Sequence, residues 1–191
     1  MPRVVAGKVG GIPLKAPKGD RVRPTADKTK EAIFSSIAEW LDDAEFLDLF
    51  AGSGQMGIEA LSRGAKQACF VDKSRTSIDY IKENLAKTRF EEQAEVLSMD
   101  AKRACDKFLA QNRKFDVIYF DPPYAEFEKL FEKLADEYLA ELLREDGILI
   151  TEADSHDQEI DSNTADTEKL TMLKRCQYGQ AMVSFYQIKS N

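Results

Sequence analysis

The stretch Phe46-Leu-Asp48-Leu-Phe50-Ala51-Gly52-Ser53-Gly54-Gln-Met-Gly57 runs from an apolar strand-like segment through a glycine loop into helix-forming sequence. Its glycines fit the G-x-G-x-x-G pattern. That spacing provides a tight turn, a close backbone approach to a ligand, and close helix–strand packing. A loop of this kind belongs between a buried strand and a helix, so the neighbouring sequence is expected to alternate strand with helix. It does so. Past the loop come a helix over 56–63, a strand over Gln67–Val71, and a helix capped by Ser74 with Ile78, Ile81 and Leu85 on one face. Ala94–Met99 reads as the next strand and Ala101–Gln111 as the next helix. Phe115-Asp-Val-Ile-Tyr-Phe120 is the clearest buried strand. A helix follows with Phe127, Leu130, Phe131, Leu134, Tyr138 and Leu142 on one stripe, then a strand over Ile148–Glu152. Leu170–Cys176 and Met182–Ile188 flank Gly179 as a closing antiparallel hairpin, after a polar connection over Asp154–Glu168. Such alternation implies an α/β domain with a mostly parallel sheet covered on both faces.

Upstream of the loop, Arg3–Ala6 and Ile12–Ala16 read as a small hairpin around Gly7, Gly10 and Gly11, and Thr25 as the cap of a helix through Leu41. The division expected is a basic extension over 1–24 and one compact domain over 25–191. The 191 residues, 43% apolar and 32% charged, suit one soluble globular unit. No apolar run approaches the roughly 20 residues that span a bilayer, and the opening residues lack a signal peptide's apolar stretch, so a cytoplasmic protein is expected. Cys69, Cys105 and Cys176 are far apart and odd in number, which argues against a disulfide framework or a zinc site. His156, the single histidine, reads as a solvated loop residue, and no metal is expected. The net charge of −7 conceals an asymmetry. Residues 1–30 hold eight Lys/Arg against two acids, a net of +6, and the remainder nets −13. A basic end on an acidic body can aim at a polyanion, although a merely solvated terminus has the same composition.

Acidic residues close three of the expected strands. Asp72 lies 20 residues after Gly52, where a carboxylate can accept from a ribose diol. Asp48 would repel a pyrophosphate but attract an ammonium group, and Asp100 is placed to meet an adenine amino group. S-adenosylmethionine carries ammonium, ribose and adenine without phosphate, so these acids favour it over NAD. The expected donor contacts are Asp48, Phe50, Ala51, Gly52, Ser53, Gly54 and Gly57, then Asp72 with Lys73 and Asp100 with Ala101. Asp121-Pro122-Pro123-Tyr124 directly follows the buried strand, at the sheet edge where ligands bind. The Asp121 carboxylate and the Pro122 carbonyl could hold the hydrogens of an exocyclic base amine and free its delocalised lone pair. Pro122 and Pro123 stiffen the turn, and Tyr124 offers a face for stacking an extruded base.

Taken together these residues resemble the RsmD-type 16S rRNA guanine-N2 methyltransferases, over nearly the whole chain. The resemblance is carried by Arg3-Val-Val-Ala-Gly7, by Arg23-Pro-Thr-Ala-Asp27-Lys28-Thr-Lys30-Glu31, by Leu47–Gly54 with Gly57–Ala65, and by Asp121–Tyr124. Arg23–Glu31 is its more specific marker. The family's arginine-bearing glycine turn is replaced here by Val9-Gly10-Gly11-Ile12. The resemblance implies a Rossmann-like class I fold: a mostly parallel seven-stranded sheet, helices on both faces, a C-terminal antiparallel hairpin, and a small N-terminal β-hairpin and helix. It implies a monomeric enzyme that moves one methyl from S-adenosylmethionine to guanine N2 of 16S rRNA in the small ribosomal subunit, leaving S-adenosylhomocysteine. Arg3, Lys8, Lys15, Arg21, Arg23 and Lys28 are the candidate RNA contacts. The alternatives are another base amine such as adenine N6, an NAD-dependent oxidoreductase, and a non-catalytic RNA-binding assembly factor.

Overall fold

Phe115–Phe120 lies in the middle of a seven-stranded sheet, with a neighbouring strand on each side. The computed structural model describes residues 1–17, 24–154 and 166–190. Its elements are α1 (Pro24–Ser36), β1 (Glu45–Asp48), α2 (Gln55–Arg63), β2 (Gln67–Asp72), α3 (Arg75–Thr88), β3 (Ala94–Ser98), α4 (Ala101–Ala110) and β4 (Phe115–Phe120). α5 (Phe127–Leu134), α6 (Ala140–Leu142), β5 (Leu143–Asp154), β6 (Leu170–Tyr178) and β7 (Ala181–Ile188) complete them. The strand order is β3-β2-β1-β4-β5-β7-β6. The first five run parallel, and β7 pairs antiparallel with both β5 and β6. This is the expected fold, and the order reverses direction between β1 and β4, where a crevice opens at the carboxyl ends of such strands.

Period-two alternation sends successive side chains to opposite faces. Phe46, Phe70, Tyr119 and Ile150 pack on one face beneath Ile33, Ile37, Ile58 and Ile81. Leu47, Val71, Ile118 and Phe120 pack on the other beneath Phe108 and Phe131. Both faces are covered, which explains why the central strands read as continuous apolar runs. Cys69, Cys105 and Cys176 are all free. Burial pushes the Cys69 and Cys105 thiols up to about 12, so they serve as packing groups.

Four local readings need correction. The helix expected to reach Leu41 stops at Ser36 and continues as a 3-10 turn over Ala38–Trp40, where the Trp40 indole donates to the Asp146 carbonyl (2.8 Å). The N-terminal hairpin is a single antiparallel bridge between Arg3 and Pro13 rather than two strands, because Pro13 has no N–H to extend the ladder. The helix after residue 127 widens to a π turn over Ala135–Leu139, where Asp136 accepts from the Glu168 (3.1 Å) and Lys169 (2.9 Å) amides. β5 is longer than Ile148–Glu152, since Leu143 already pairs with Phe115 across a bulge. Most of the polar connection over Asp154–Glu168, with His156, falls outside the described residues, as do Arg21 and Arg23.

Candidate active site

The loop between β1 and α2 is tied on both sides. The Leu49 amide donates to the Tyr119 carbonyl (3.1 Å) and the Ala51 amide to the Val71 carbonyl (2.9 Å). Gly52 and Gly54 have φ of 53° and 80°, in the left-handed region that side chains resist. Gly57 is required for space: a Cβ there would come within 2.3 Å of the Phe70 ring. Asp72 pins the same loop. One of its oxygens accepts from the Gly52 amide (2.9 Å) and the other from the Ser74 amide (2.8 Å). Asp48 lies 1% exposed under the loop and accepts from the Gly57 amide (3.1 Å). Burial, reinforced by the charge of Asp72, pushes its carboxyl up to about 7 against that hydrogen bond.

A cleft of about 300 Å³ opens along the carboxyl ends of β1–β4. Leu49 and Phe50 line it from β1, and Asp72 and Lys73 from β2. Met99, Asp100 and Ala101 come from β3, and Asp121, Pro122 and Pro123 from β4. Asp100 also caps α4 by accepting from the Arg103 amide (3.0 Å). Five of the expected donor contacts and three of the four expected catalytic residues thus share one cavity. Asp48, Ala51, Gly52, Ser53, Gly54 and Gly57 are not part of its wall; they shape the loop and helix start behind it. The Tyr124 backbone opens a short 3-10 turn, and its side chain is outside the description.

Sequence reasoning missed two neighbours of Asp121. Phe120 pairs with Thr151 across the parallel β4–β5 register, which sets Glu152 beside Asp121. Tyr119 is buried and its hydroxyl donates to Glu152. Burial and the nearby charges of Glu152 and Asp48 raise the Asp121 carboxyl well above its ordinary range. Burial also raises Glu152, partly offset by the Tyr119 bond. Glu152 ends the strand expected over Ile148–Glu152, and an acid at the carboxyl end of a buried strand was the available signal.

The basic N-terminal segment lies against α1, α2 and α3. Glu59, fully buried on α2, accepts from the amides of Val5 (2.7 Å) and Ala6 (2.9 Å) and pairs with Arg63 (2.8 Å) and Lys30 (3.5 Å). Asn84, fully buried on α3, accepts from the Lys15 amide (2.7 Å) and donates to the carbonyls of Lys15 (2.8 Å) and Ser53 (2.9 Å). Of the candidate RNA contacts, Arg3 pairs with Asp27 (2.8 Å) and Lys15 with Glu83 (2.6 Å), both on the surface. Lys8 and Lys28 are exposed.

A family model described as "Conserved hypothetical protein 95" matches residues 2–187. The "Putative rRNA methyltransferase YlbH" of Bacillus subtilis is 40% identical over 186 residues, covering 97% of this chain and 98% of the relative. The "Ribosomal RNA small subunit methyltransferase D" of Haemophilus influenzae is 37% identical over 126 residues, 64% of this chain and 63% of that protein. Among solved structures, the "Putative methyltransferase yhhF" of Escherichia coli superposes with a TM-score of 0.77 at 28% identity, covering 99% of this chain and 98% of its own.

Proposed function

The chain belongs to the conserved hypothetical protein 95 family, and from that premise we propose that it methylates the exocyclic N2 amine of a guanine in small-subunit rRNA, using S-adenosylmethionine. The observation that carries this reading is the single cleft in which Asp72 and Asp100 meet Asp121-Pro122-Pro123. Three carboxylates in its wall disfavour a pyrophosphate, which counts against NAD, and suit a donor bearing amino and hydroxyl groups. The names of the relatives supply the rRNA substrate.

When bound, S-adenosylmethionine supplies an electrophilic methyl on a sulfonium. Asp72 and Asp100 hold its ribose and adenine, Leu49, Phe50 and Met99 give it apolar contact, and Asp48 answers its ammonium from beneath the loop. The Asp121 carboxylate and the Pro122 carbonyl accept the amine hydrogens, turning the nitrogen lone pair toward the methyl. Positioning of this kind lowers a barrier by up to roughly 7–11 kcal/mol in favourable cases. Residues 1–24 serve as the basic extension that meets RNA.

Labelled methyl transfer to small ribosomal subunits lacking native modification, followed by nucleoside identification, tests the reading. N2-methylguanosine at one rRNA position is expected; methyladenine in DNA with nothing in subunits would overturn the substrate. Asp121→Ala is expected to slow transfer by about 10²–10⁴-fold while donor affinity, measured by calorimetry, stays nearly unchanged. Equal loss of both would assign Asp121 to donor binding.

A further inference from the structure

The strand register gathers more acid at this site than one proton acceptor requires. Asp48 pairs with Tyr119, and Tyr119 with Ile150, across the adjacent strands β1, β4 and β5. Two-residue alternation then sets Asp48, Tyr119, Asp121 and Glu152 on the same face, at the carboxyl edge of the sheet. Among the described residues, the titratable groups that bear on Asp121 and Glu152 are Asp48 from β1 and Tyr119 from β4. The β7 partner of Glu152 is the uncharged Val183. Among the described residues, no Lys or Arg forms an ion pair with Asp121 or Glu152. Two neighbouring desolvated carboxyls without a cation cannot both ionise cheaply, so the low-energy arrangement is one proton shared between them.

We propose that Glu152, held by the Tyr119 hydroxyl, is a positioning residue for methyl transfer that shares a proton with Asp121 and so fixes the Asp121 oxygen that faces the amine. This rests on the reading of the site as a base-amine methyltransferase. The base nitrogen forms its bond to the methyl carbon as the carbon–sulfur bond breaks, and that electron pair returns to sulfur. The amine then gives its proton to the open oxygen of Asp121. The pair begins the step with one proton and one negative charge and ends it with two protons and no charge. The second proton returns to water when product leaves. The shared proton stabilises the charge on Asp121, so the pair takes up its second proton less readily than a lone buried Asp121 would.

The test is single-turnover methyl transfer to unmodified small subunits across pH, in the full-length protein and its Glu152→Gln, Glu152→Asp and Tyr119→Phe variants, with donor affinity measured alongside. Glu152→Gln is expected to slow transfer roughly tenfold or more and to move the acid limb of the profile to higher pH, because the shared proton no longer stabilises the charge on Asp121, with donor affinity changed less than about twofold. Glu152→Asp should restore part of the rate and return the limb toward that of the parent. Tyr119→Phe should fall between them. Glu152→Gln that matches the parent in rate and limb overturns the proposal. So does a slow variant with a lowered melting temperature and an unmoved limb, since Glu152 would then be structural. A parent protein that transfers no methyl to any base amine removes the underlying reading first, and this proposal with it.

Discussion

Burial pushes the Asp48 carboxyl up to about 7, so near neutral pH a proton there competes with any cation that Asp48 would bind. If Asp48 answers the donor ammonium, that proton must leave on binding. Below about pH 7 the affinity for S-adenosylmethionine should therefore fall, by up to tenfold per pH unit, and it should level off above. Calorimetry in buffers of different ionisation enthalpy should show nearly one proton released at about pH 6 and far less at about pH 7.5, below the range in which the donor's own α-amino group loses its proton. Equal release at both would place the ammonium elsewhere. Gly57 gives a second test at single-residue scale. Gly57→Ala drives a methyl into the Phe70 ring and should cost about 1–3 kcal/mol, read from the midpoint of urea unfolding. Both residues stood out in the sequence, Gly57 by its place in the glycine pattern and Asp48 by its place at a strand end. That Asp48 would be buried against the Gly57 amide did not, because side-chain burial depends on how helix and strand meet.

Among the elements, β4 was legible to the residue, since Phe115–Phe120 is apolar but for Asp116 and is closed by Asp-Pro-Pro. The cap of α3 was legible too: Ser74 accepts from the Ser77 amide as a helix start requires. Glu152 was hidden for the opposite reason. Its position beside Asp121 is a matter of register between strands about thirty residues apart, and register is set by packing of the whole sheet. The role of Glu59 was equally hidden, because a glutamate in a helix reads as a solvated residue until its partners are placed. Its buried side chain binds two backbone amides and two cations, and burial already lowers the pKa of Lys30 beside it. Glu59→Ala leaves Lys30 buried without its carboxylate and should destabilise the fold by about 3–5 kcal/mol, measured by chemical denaturation. A cost below 1 kcal/mol would mean that water replaces the contact.

For the molecule as a whole, the opposed charges of the N-terminal segment and the body bear on the proposed RNA interface. Arg3 and Lys15 are held in exposed ion pairs of the kind worth little in water, so a phosphate can exchange for Asp27 or Glu83. Replacing Arg3, Lys8 and Lys15 together by Gln should flatten the plot of log affinity against log salt by about two units, with S-adenosylmethionine binding unchanged. An unaltered slope would move the RNA interface away from this segment. The alternating pattern was enough to derive the sheet, but the docking of residues 1–17 was not, since their partners lie 50 to 70 positions further along.

That docking also orders events in time. The hairpin segment is made before Glu59, Ser62 and Asn84, which fasten it. Until α3 is complete, Val4 and Leu14, both fully buried in the finished protein, have no surface to cover them. Contacts at such sequence separation form late and slowly. This piece of the core therefore waits for sequence made after it, and it closes over the same Asn84 that holds the carbonyl of Ser53 in the glycine loop.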